Sequence, residues 1–158
     1  MSTPAVEAPV RQNASVTAQE IFRQMMRYDI APALRALGFK GSGQVYVLPS
    51  DTHWAMLNFQ KSALRSDAEQ IFFAVNFDVS TKEEWNQRRH AFGAPERPSP
   101  SWFSRMGIDD QSPHGGAVQH WWHLRVESPI LALVDDVITR IKNEALPAMR
   151  ALMEKPLG

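Results

Sequence analysis

The chain of 158 residues has no cysteine, no long hydrophobic run and no excess of charge of either sign. Without cysteine, it can form no disulfide, no thiolate metal site and no thiol nucleophile. No apolar run approaches the length of about 18 residues that a membrane-spanning helix requires. The first residues, MSTPAVEAPVRQ, also lack the charged-then-apolar pattern of a signal peptide. We therefore expect a cytoplasmic protein without a membrane span, and its alanine, arginine and proline usage suggests a bacterium.

The charge balance and the missing motifs exclude several classes of function. Lysine and arginine together number 17, as do aspartate and glutamate, and the sequence pI is near 7.0. A neutral chain without a basic block argues against nucleic acid as the main partner. The phosphate-binding loop, the Gly-x-Gly-x-x-Gly fingerprint and the Gly-x-Ser-x-Gly turn of a serine nucleophile are all absent. These absences favour a protein that is not an enzyme and that needs no cofactor.

Two alternating segments joined by a charged connection dominate the middle of the chain, at residues 53–61 and 71–79. Side chains alternate between faces along a strand, so apolar residues at the odd positions predict two half-buried strands. We expect these strands to pair as antiparallel neighbours, with the odd-numbered face in the core and the even-numbered, more polar face turned away. The expected core residues are Leu57, Phe59, Phe73, Val75 and Phe77.

Residues typical of helix starts and helix ends occur near both ends of the chain. Thr17 begins a capping box ahead of a helix, Pro32 is expected to kink that helix or to begin a second one, and Gly38 should end it. Towards the C-terminus, Ser128 is expected to cap another long helix with Pro129 at its first position.

The order of elements is helix, three strands, short helix, long loop, one or two strands and a final helix. Residues 44–48 and 118–126 alternate like the central pair and predict further strands. Helices at both ends of an antiparallel sheet are typical of an α+β sandwich. We therefore predict an α+β fold, in which an antiparallel sheet of about four to five strands carries the long N- and C-terminal helices on one face. Residues 1–16 are expected to form a flexible tail, and residues 17–154 a single domain.

Four segments carry a resemblance to a known family. The run IAPALRALGF at residues 30–39 ends a helix in Gly-Phe, and NFQKS at residues 58–62 ends a strand. FAVNFDV at residues 73–79 forms a strand with a central asparagine, and a Trp-Trp pair follows at residues 121–122. In this order, the segments resemble a bacterial domain-of-unknown-function family, the one numbered 4304, and the resemblance covers residues 20–150. It implies no catalytic residues, because the family is itself uncharacterised.

The histidines and paired acids have ordinary interpretations. His120 and His123 stand three apart, and on a strand such residues point to opposite faces, so we expect no shared metal ion. The adjacent carboxylates at residues 109–110 and 135–136 diverge on either a helix or a strand, so neither pair suits acid–base catalysis. We interpret Asp135 and Asp136 as part of the solvated side of the last helix, and we predict no metal site.

The polar face of the sheet is the best candidate for a functional site. Aromatic rings together with amides, an acid and a guanidinium suit a surface that binds a ligand or a partner. The candidate residues are Tyr46, Trp54, Asn58, Gln60, Asn76, Asp78, Trp121, His123 and Arg125. In the alternative interpretation, the Pro-rich loop at 92–116 covers this face with Trp102 and Phe103 and forms a second, smaller core. Residues 102–106 are expected to form an edge strand or a docked segment.

Two functions follow from this candidate face. The first is a non-enzymatic binding module for a protein partner, such as an immunity or accessory protein. The alternative is a small-molecule-binding domain or a metal-independent enzyme that uses Asp78, His123 and Arg125, because an aspartate and a histidine within hydrogen-bond reach could do acid–base chemistry. An exposed edge strand would also permit a homodimer by sheet extension. Fold alone does not decide between these functions.

Overall fold

A six-stranded antiparallel sheet lies at the centre of the computed structural model, which describes residues 16–99 and 106–155. A separate two-stranded hairpin accompanies it. The strands are β1 (Lys40–Ser42), β2 (Val45–Leu48), β3 (His53–Lys61), β4 (Gln70–Thr81), β5 (Met106–Gly107), β6 (Asp109–Gln111), β7 (Ala117–Gln119) and β8 (Trp122–Arg125). In the main sheet, β1 to β4 lie side by side in chain order, and the other edge of β4 pairs with both β5 and β8.

The edge beside β4 is one interrupted strand. β5 lies opposite Asn76 and Phe77, and β8 continues in the same direction opposite residues 70–73. The hairpin of β6 and β7 is inserted between these two halves, much as an enlarged β-bulge would be. Of the segment predicted at residues 102–106, Met106 begins β5, whereas residues 102–105 lie outside the described part of the chain.

The central strands pair as the alternation predicts. Leu57 lies opposite Phe77 and Phe59 opposite Val75, so the odd-numbered side chains share one face. These four residues are buried. The prediction of an antiparallel central pair with an odd-numbered core face is therefore confirmed.

Helices precede, interrupt and follow the strands. The N-terminal helix comprises α1 (Ala18–Met25), a first π segment (Met26–Ile30) and α2 (Ala31–Ala36). The C-terminal helix comprises α4 (Ile130–Arg140), a second π segment (Ile141–Ala145) and α5 (Leu146–Met153). Between them, α3 (Lys82–Phe92) follows β4. A sheet with helices at both ends confirms the α+β class.

The helix caps agree with the sequence at two positions and differ at a third. The Thr17 hydroxyl accepts the Glu20 N–H at 3.2 Å, and Gly38 ends the N-terminal helix with φ of 105°. The prediction that Ser128 caps the C-terminal helix is wrong. Its hydroxyl instead accepts the Arg125 N–H at 2.7 Å and closes the turn after β8, while Pro129 takes the cap position without a side-chain bond.

In each long helix, a π segment comes just before a proline. The Ala31 N–H bonds the Met26 carbonyl just before Pro32, and the Leu146 N–H bonds the Ile141 carbonyl, one residue before the second proline. A proline has no N–H to donate and its ring crowds the carbonyl four residues earlier, so a wider turn relieves the conflict. Of the two expectations for Pro32, a separate second helix is therefore wrong, because the chain stays helical from residue 18 to residue 36.

The core lies between the odd-numbered face of the sheet and the two long helices. Phe73 is its centre, with its ring 5.3 Å from Phe22 of α1 and 5.7 Å from Trp122 of β8, centroid to centroid. The helices contribute buried residues at helical spacing, among them Met25, Ile30, Leu34, Val137, Ile141 and Met149. None of the described helices has the length and apolar character to cross a bilayer. Of the tail predicted at residues 1–16, all but the last residue lies outside the described residues.

Candidate functional site

The nine residues predicted to form one polar site occupy several separate places. Eight of them lie on, or at the border of, the even-numbered face, and one does not. Along that face, α3 covers one end, an amide network fills the centre, and an aromatic and cationic group occupies the other end. The geometry of each part determines what it can bind.

Tyr46 does not belong to the polar face, so its predicted position is wrong. It lies opposite Leu57 in the sheet, which points its ring to the core, where it is fully buried. Its hydroxyl donates to the Gly43 carbonyl at 2.9 Å, and burial raises the pKa of the Tyr46 hydroxyl. The alternation within β2 was visible in the sequence, but the register that decides which face Tyr46 shares was not.

A second, smaller core covers the end of the face that contains Trp54. Met56 packs with Trp85 of α3 and with Ala94, and Trp54 lies against this cluster. The Trp85 indole donates to the Glu96 carbonyl at 3.0 Å and ties the segment after α3 to the helix. The alternative interpretation predicted such a core from Trp102 and Phe103, which lie outside the described residues. In the structure, α3 and Ala94 form it.

Asp78 borders this covered end. It lies opposite Met56 in the sheet, and its carboxylate accepts the Val79 N–H at 2.8 Å. Burial raises the pKa of the Asp78 carboxyl, although that hydrogen bond and the charge of Arg88 oppose the shift. The surroundings of Asp78 are therefore those of a structural carboxylate beside a small core.

An amide network occupies the centre of the face. The Asn76 side chain donates to Gln60 Oε1 at 2.8 Å and accepts from Gln119 Nε2 at 3.0 Å. Asn76 is only 2 % exposed, and its register partner Asn58 is half-buried. A side chain at Gly107 would collide with Gln119, because its Cβ would lie 2.5 Å from Nε2. The network thus joins β3, β4 and β7, and its buried member, Asn76, is satisfied by the half-buried amides of Gln60 and Gln119.

The remaining predicted residues gather at the other end of the face. We call Arg65, Phe72, Trp121, His123 and Arg125 the edge patch. The guanidinium carbon of Arg65 lies 4.0 Å from the Phe72 ring centroid, and the His123 ring stacks on Phe72 at 4.1 Å and 7°. Trp121 lies beside this stack, 6.0 Å from the same guanidinium carbon. Arg125 follows along β8 and is exposed.

The edge patch is held in place from the sheet. His123 lies directly opposite Phe72 in the sheet. Its Nε2 donates a hydrogen bond of 2.8 Å to Gln70 Oε1. Asp78 lies six residues along β4 from Phe72, which corresponds to about 20 Å at the rise of a strand. The structure therefore does not bring Asp78 to His123 and Arg125, and these three residues do not form an acid–base site.

A charged network that sequence reasoning missed joins the β6–β7 hairpin to the C-terminal helix. Asp110 of the hairpin accepts from His120 Nδ1 at 2.6 Å and from Arg140 at 2.9 Å, and Arg140 also pairs with Glu144. The hydrogen bond from His120 lowers the pKa of Asp110 against the opposing effect of burial, and Arg140 lowers it further. Ten and thirty residues separate Asp110 from His120 and Arg140 along the chain, so no local pattern pointed to Asp110; only the Arg140–Glu144 pair is local, four residues apart on a helix.

The histidines and the remaining acidic pair also have defined places. His120 packs edge-on against Trp122 at 4.4 Å, whereas His123 stacks on Phe72, so the two rings face different surroundings. Asp136, expected to be plain solvated surface, accepts the Trp122 indole N–H at 2.7 Å. Within residues 16–99 and 106–155, no three histidine, aspartate or glutamate side chains form a group that could hold a metal ion.

Comparison with known proteins gives one result. Neither a curated protein nor a solved structure matches the chain. One family profile does match, over residues 30–151, and its description is "Domain of unknown function (DUF4304)". That range runs from the end of the first π segment to α5 and includes every strand and the edge patch. The chain therefore belongs to the DUF4304 family, as its ordered motifs predicted.

Proposed function

We propose that this protein is a non-enzymatic binding module of the bacterial cytoplasm, and that its partner is another protein that docks on the edge patch. The observation that carries the proposal is the stack of Arg65, Phe72 and His123 beside Trp121. The chain contains no cysteine, which supports the cytoplasmic location, because disulfides do not persist in a reducing compartment.

The composition of the edge patch supports protein recognition. Tryptophan and arginine are the residues most enriched among those that dominate binding energy at protein interfaces. In the edge patch, the rings of Phe72 and His123 are parallel, and Arg65 lies over the first ring. Side chains fixed in this way lose little freedom on binding, which favours affinity. Next to Arg65, Leu64 is 99 % exposed and supplies an apolar side chain for contact.

The sheet edge supports a specific mode of docking. In the part of the chain that the structure describes, β8 pairs with β4 alone; Ser128 bonds both backbone groups of Arg125, so the free part of the outer edge, where a strand could add, lies at His123. An extended segment added at such an edge gains main-chain hydrogen bonds, and its side chains meet the pockets of the host. We therefore propose an extended segment of the partner as the occupant.

Charge determines what that segment should carry. Neither Arg65 nor Arg125 forms an ion pair with a described residue. Glu69 and Glu127 line the same depression as Arg125, so a continuous acidic run would be repelled there. Acidic side chains at alternate positions share one face of an added strand and could reach both arginines. The proposed partner segment is therefore extended, with alternating acidic residues.

A pull-down from native lysate, followed by hydrogen exchange on the captured complex, tests this proposal. The bait proteins are the wild type, a Trp121→Ala/Arg125→Ala variant, and an Arg150→Ala control. Arg150 is exposed on α5, which covers the opposite face of the sheet. We expect a protein captured by the wild type and the control but not by the double variant, with amide protection at residues 122–125.

Two results would contradict the proposal. One is a captured protein that the double variant retains at wild-type yield. The other is protection that leaves residues 122–125 unchanged. Protection of these residues in the purified protein alone, rising with its concentration, would identify a second copy of the chain as the occupant in place of a different protein.

A further inference from the structure

A cleft separates the N-terminal helix from the turn between β1 and β2. Its volume is about 830 Å³, within the range of small-molecule sites. It lies at the β1 edge of the sheet, whereas the edge patch lies at the β8 edge. The residues that matter for its chemistry are Glu20, Arg23, Arg27, Tyr28, Arg35 and Gly43.

Three arginines line one wall of the cleft. Arg23, Arg27 and Arg35 follow one another at intervals of four and eight residues along the helix, and all three are exposed. None of them forms an ion pair with a described residue. The Arg27 guanidinium lies 5.3 Å from the Tyr28 ring centroid, and Arg35 donates to the Gly41 carbonyl at 2.9 Å. Like charges four residues apart destabilise a helix, so the stability of the fold does not explain this row of arginines.

The floor of the cleft is apolar. Phe22, Met26 and Ala31 line it, and each is at most 2 % exposed. A ligand that reaches this floor would therefore combine a charged group for the arginines with an apolar body.

The opposite wall is a glycine turn fixed from two sides. Arg35 holds the Gly41 carbonyl and Tyr46 holds the Gly43 carbonyl. Gly41 packs against the returning strand so closely that a Cβ would lie 2.4 Å from the Val45 carbonyl oxygen. At Gly43, by contrast, a Cβ would meet nothing within 4 Å. The turn is therefore preformed, with open space beside Gly43 where it lines the cleft.

We infer that this cleft binds a small organic molecule that carries a phosphate group. Glu20 offsets one of the three arginines, which leaves a formal excess of two positive charges and matches a phosphate monoester. Planar guanidinium groups bind phosphate oxygens in pairs of parallel hydrogen bonds. The site is independent of the protein partner proposed above, because it lies at the other edge of the sheet and takes a small ligand.

Phenyl phosphate is the probe that tests this inference. It is titrated into ¹⁵N-labelled full-length protein, and amide shifts are followed by two-dimensional NMR. We expect saturable shifts at residues 23–28 and 42–44. Arg27→Gln should weaken binding by about tenfold or more, equivalent to losing one good charged contact. Its spectrum without ligand should show the wild-type fold, since Arg27 is exposed and its cation–π contact is with its neighbour Tyr28.

Arg150→Gln is the control for the loss of one helix arginine outside the cleft. Residues 32–37 read PALRAL and residues 147–152 read PAMRAL, so Arg35 and Arg150 occupy the same place in nearly the same hexapeptide. Each hexapeptide follows a π segment, but Arg150 does not line the cleft. The control should bind phenyl phosphate as the wild type does. Equal weakening by Arg27→Gln and Arg150→Gln would overturn the inference, because it would show a general charge effect.

Two further probes identify the chemistry. Inorganic phosphate should shift the same amides with lower affinity, because it lacks the apolar body. Isophthalate, an organic dianion without phosphate, should bind more weakly than phenyl phosphate. Isophthalate binding as tight as that of phenyl phosphate would overturn the assignment to phosphate, and the absence of saturable binding by any probe would overturn the site.

Discussion

The N-terminal and C-terminal helices are built alike but differ in how their arginines are used. Both contain a π segment of five residues followed by the hexapeptide Pro-Ala-Leu/Met-Arg-Ala-Leu. In the C-terminal helix, Arg140 just before the π segment pairs with Asp110 and Glu144. In the N-terminal helix, Arg23 and Arg27 form no ion pair with a described residue and face a cleft.

The comparison separates a structural feature from a functional one. A π segment is often a sign of a functional site, but in this chain it occurs in both helices, each time beside a proline that it accommodates. It therefore reflects the proline. The difference between the helices lies in charge, because the C-terminal helix pairs Arg140 within the fold, whereas the N-terminal helix leaves Arg23 and Arg27 as an unsatisfied set that lines a cleft. The unsatisfied set is the one we assign to a ligand.

The largest expected effect tests the similarity of the helices. Ile30 ends the first π segment, Ile141 begins the second, and both are fully buried. Replacement of either by alanine should lower the free energy of unfolding by about 2–5 kcal/mol, through lost burial and a new cavity. Urea unfolding measures this change. Leu131→Ala is the control, since Leu131 is 76 % exposed. A much smaller loss for Ile30 than for Ile141 would show that the helices are not equivalent supports.

The next effect tests the paired arginine. Arg140→Gln removes hydrogen bonds to Asp110, to the Asp109 carbonyl and to both oxygens of Glu144. Because the Arg140 side chain is only 20 % exposed, the loss should be about 1–3 kcal/mol in the free energy of unfolding. Arg150→Gln, at an exposed position of the same helix, should change it by less than about 0.5 kcal/mol. Equal effects of the two variants would remove the distinction between paired and unpaired arginines.

The pH dependence of stability tests the contribution of Asp110, the partner of Arg140. The hydrogen bond from His120 holds the pKa of Asp110 below its ordinary value, so the folded state favours the carboxylate. The resulting stabilisation is present above the pKa of the unfolded chain and is lost as pH falls through the lower, folded pKa. The advantage of the wild type over Asp110→Asn should therefore shrink below about pH 4. Chemical unfolding across this range measures it, and an advantage that persists unchanged at pH 2 would refute a stabilising role for the ionised carboxylate.

The sequence predicted what depends on short-range periodicity. Alternation at residues 53–61 and 71–79 gave the correct core face, and Thr17 and Gly38 marked the ends of the N-terminal helix. Tyr46 was misplaced because alternation shows only that neighbours point apart, and the register with β3 decides which of them is buried. Ser128 was misassigned because a serine near a helix start can equally close the preceding turn.

The candidate site was harder to predict because its parts come together only through the fold. His123 and Arg125 lie on β8 and Trp121 directly precedes it, but Arg65 reaches them from a separate connection. The cleft forms because the turn between β1 and β2 lies beside the exposed arginines of the N-terminal helix. One sign of it was present, since Arg23, Arg27 and Arg35 are spaced to share a helix face. A chain that is neutral overall obscured this local excess of positive charge.

The smallest expected effect concerns the unpaired arginines without ligand. Arg23 and Arg27 stand four residues apart, so Arg27→Gln should relieve repulsion and raise the free energy of unfolding by about 0.2–0.5 kcal/mol at low salt. Salt screens such interactions, so the gain should fall at high ionic strength. Thermal and urea unfolding at two salt concentrations measure it. A loss of stability instead would assign Arg27 a role in holding the fold.

A crystal structure grown with tungstate is the most direct test of whether the unpaired arginines form a ligand site. Tungstate is a tetrahedral dianion like phosphate, and its position is visible from its anomalous scattering. We predict an anomalous peak in the cleft, between Arg23, Arg27 and Arg35. An open cleft without tungstate, in a crystal where the anion binds at other arginines, would contradict the claim that this helix carries its charge for a ligand.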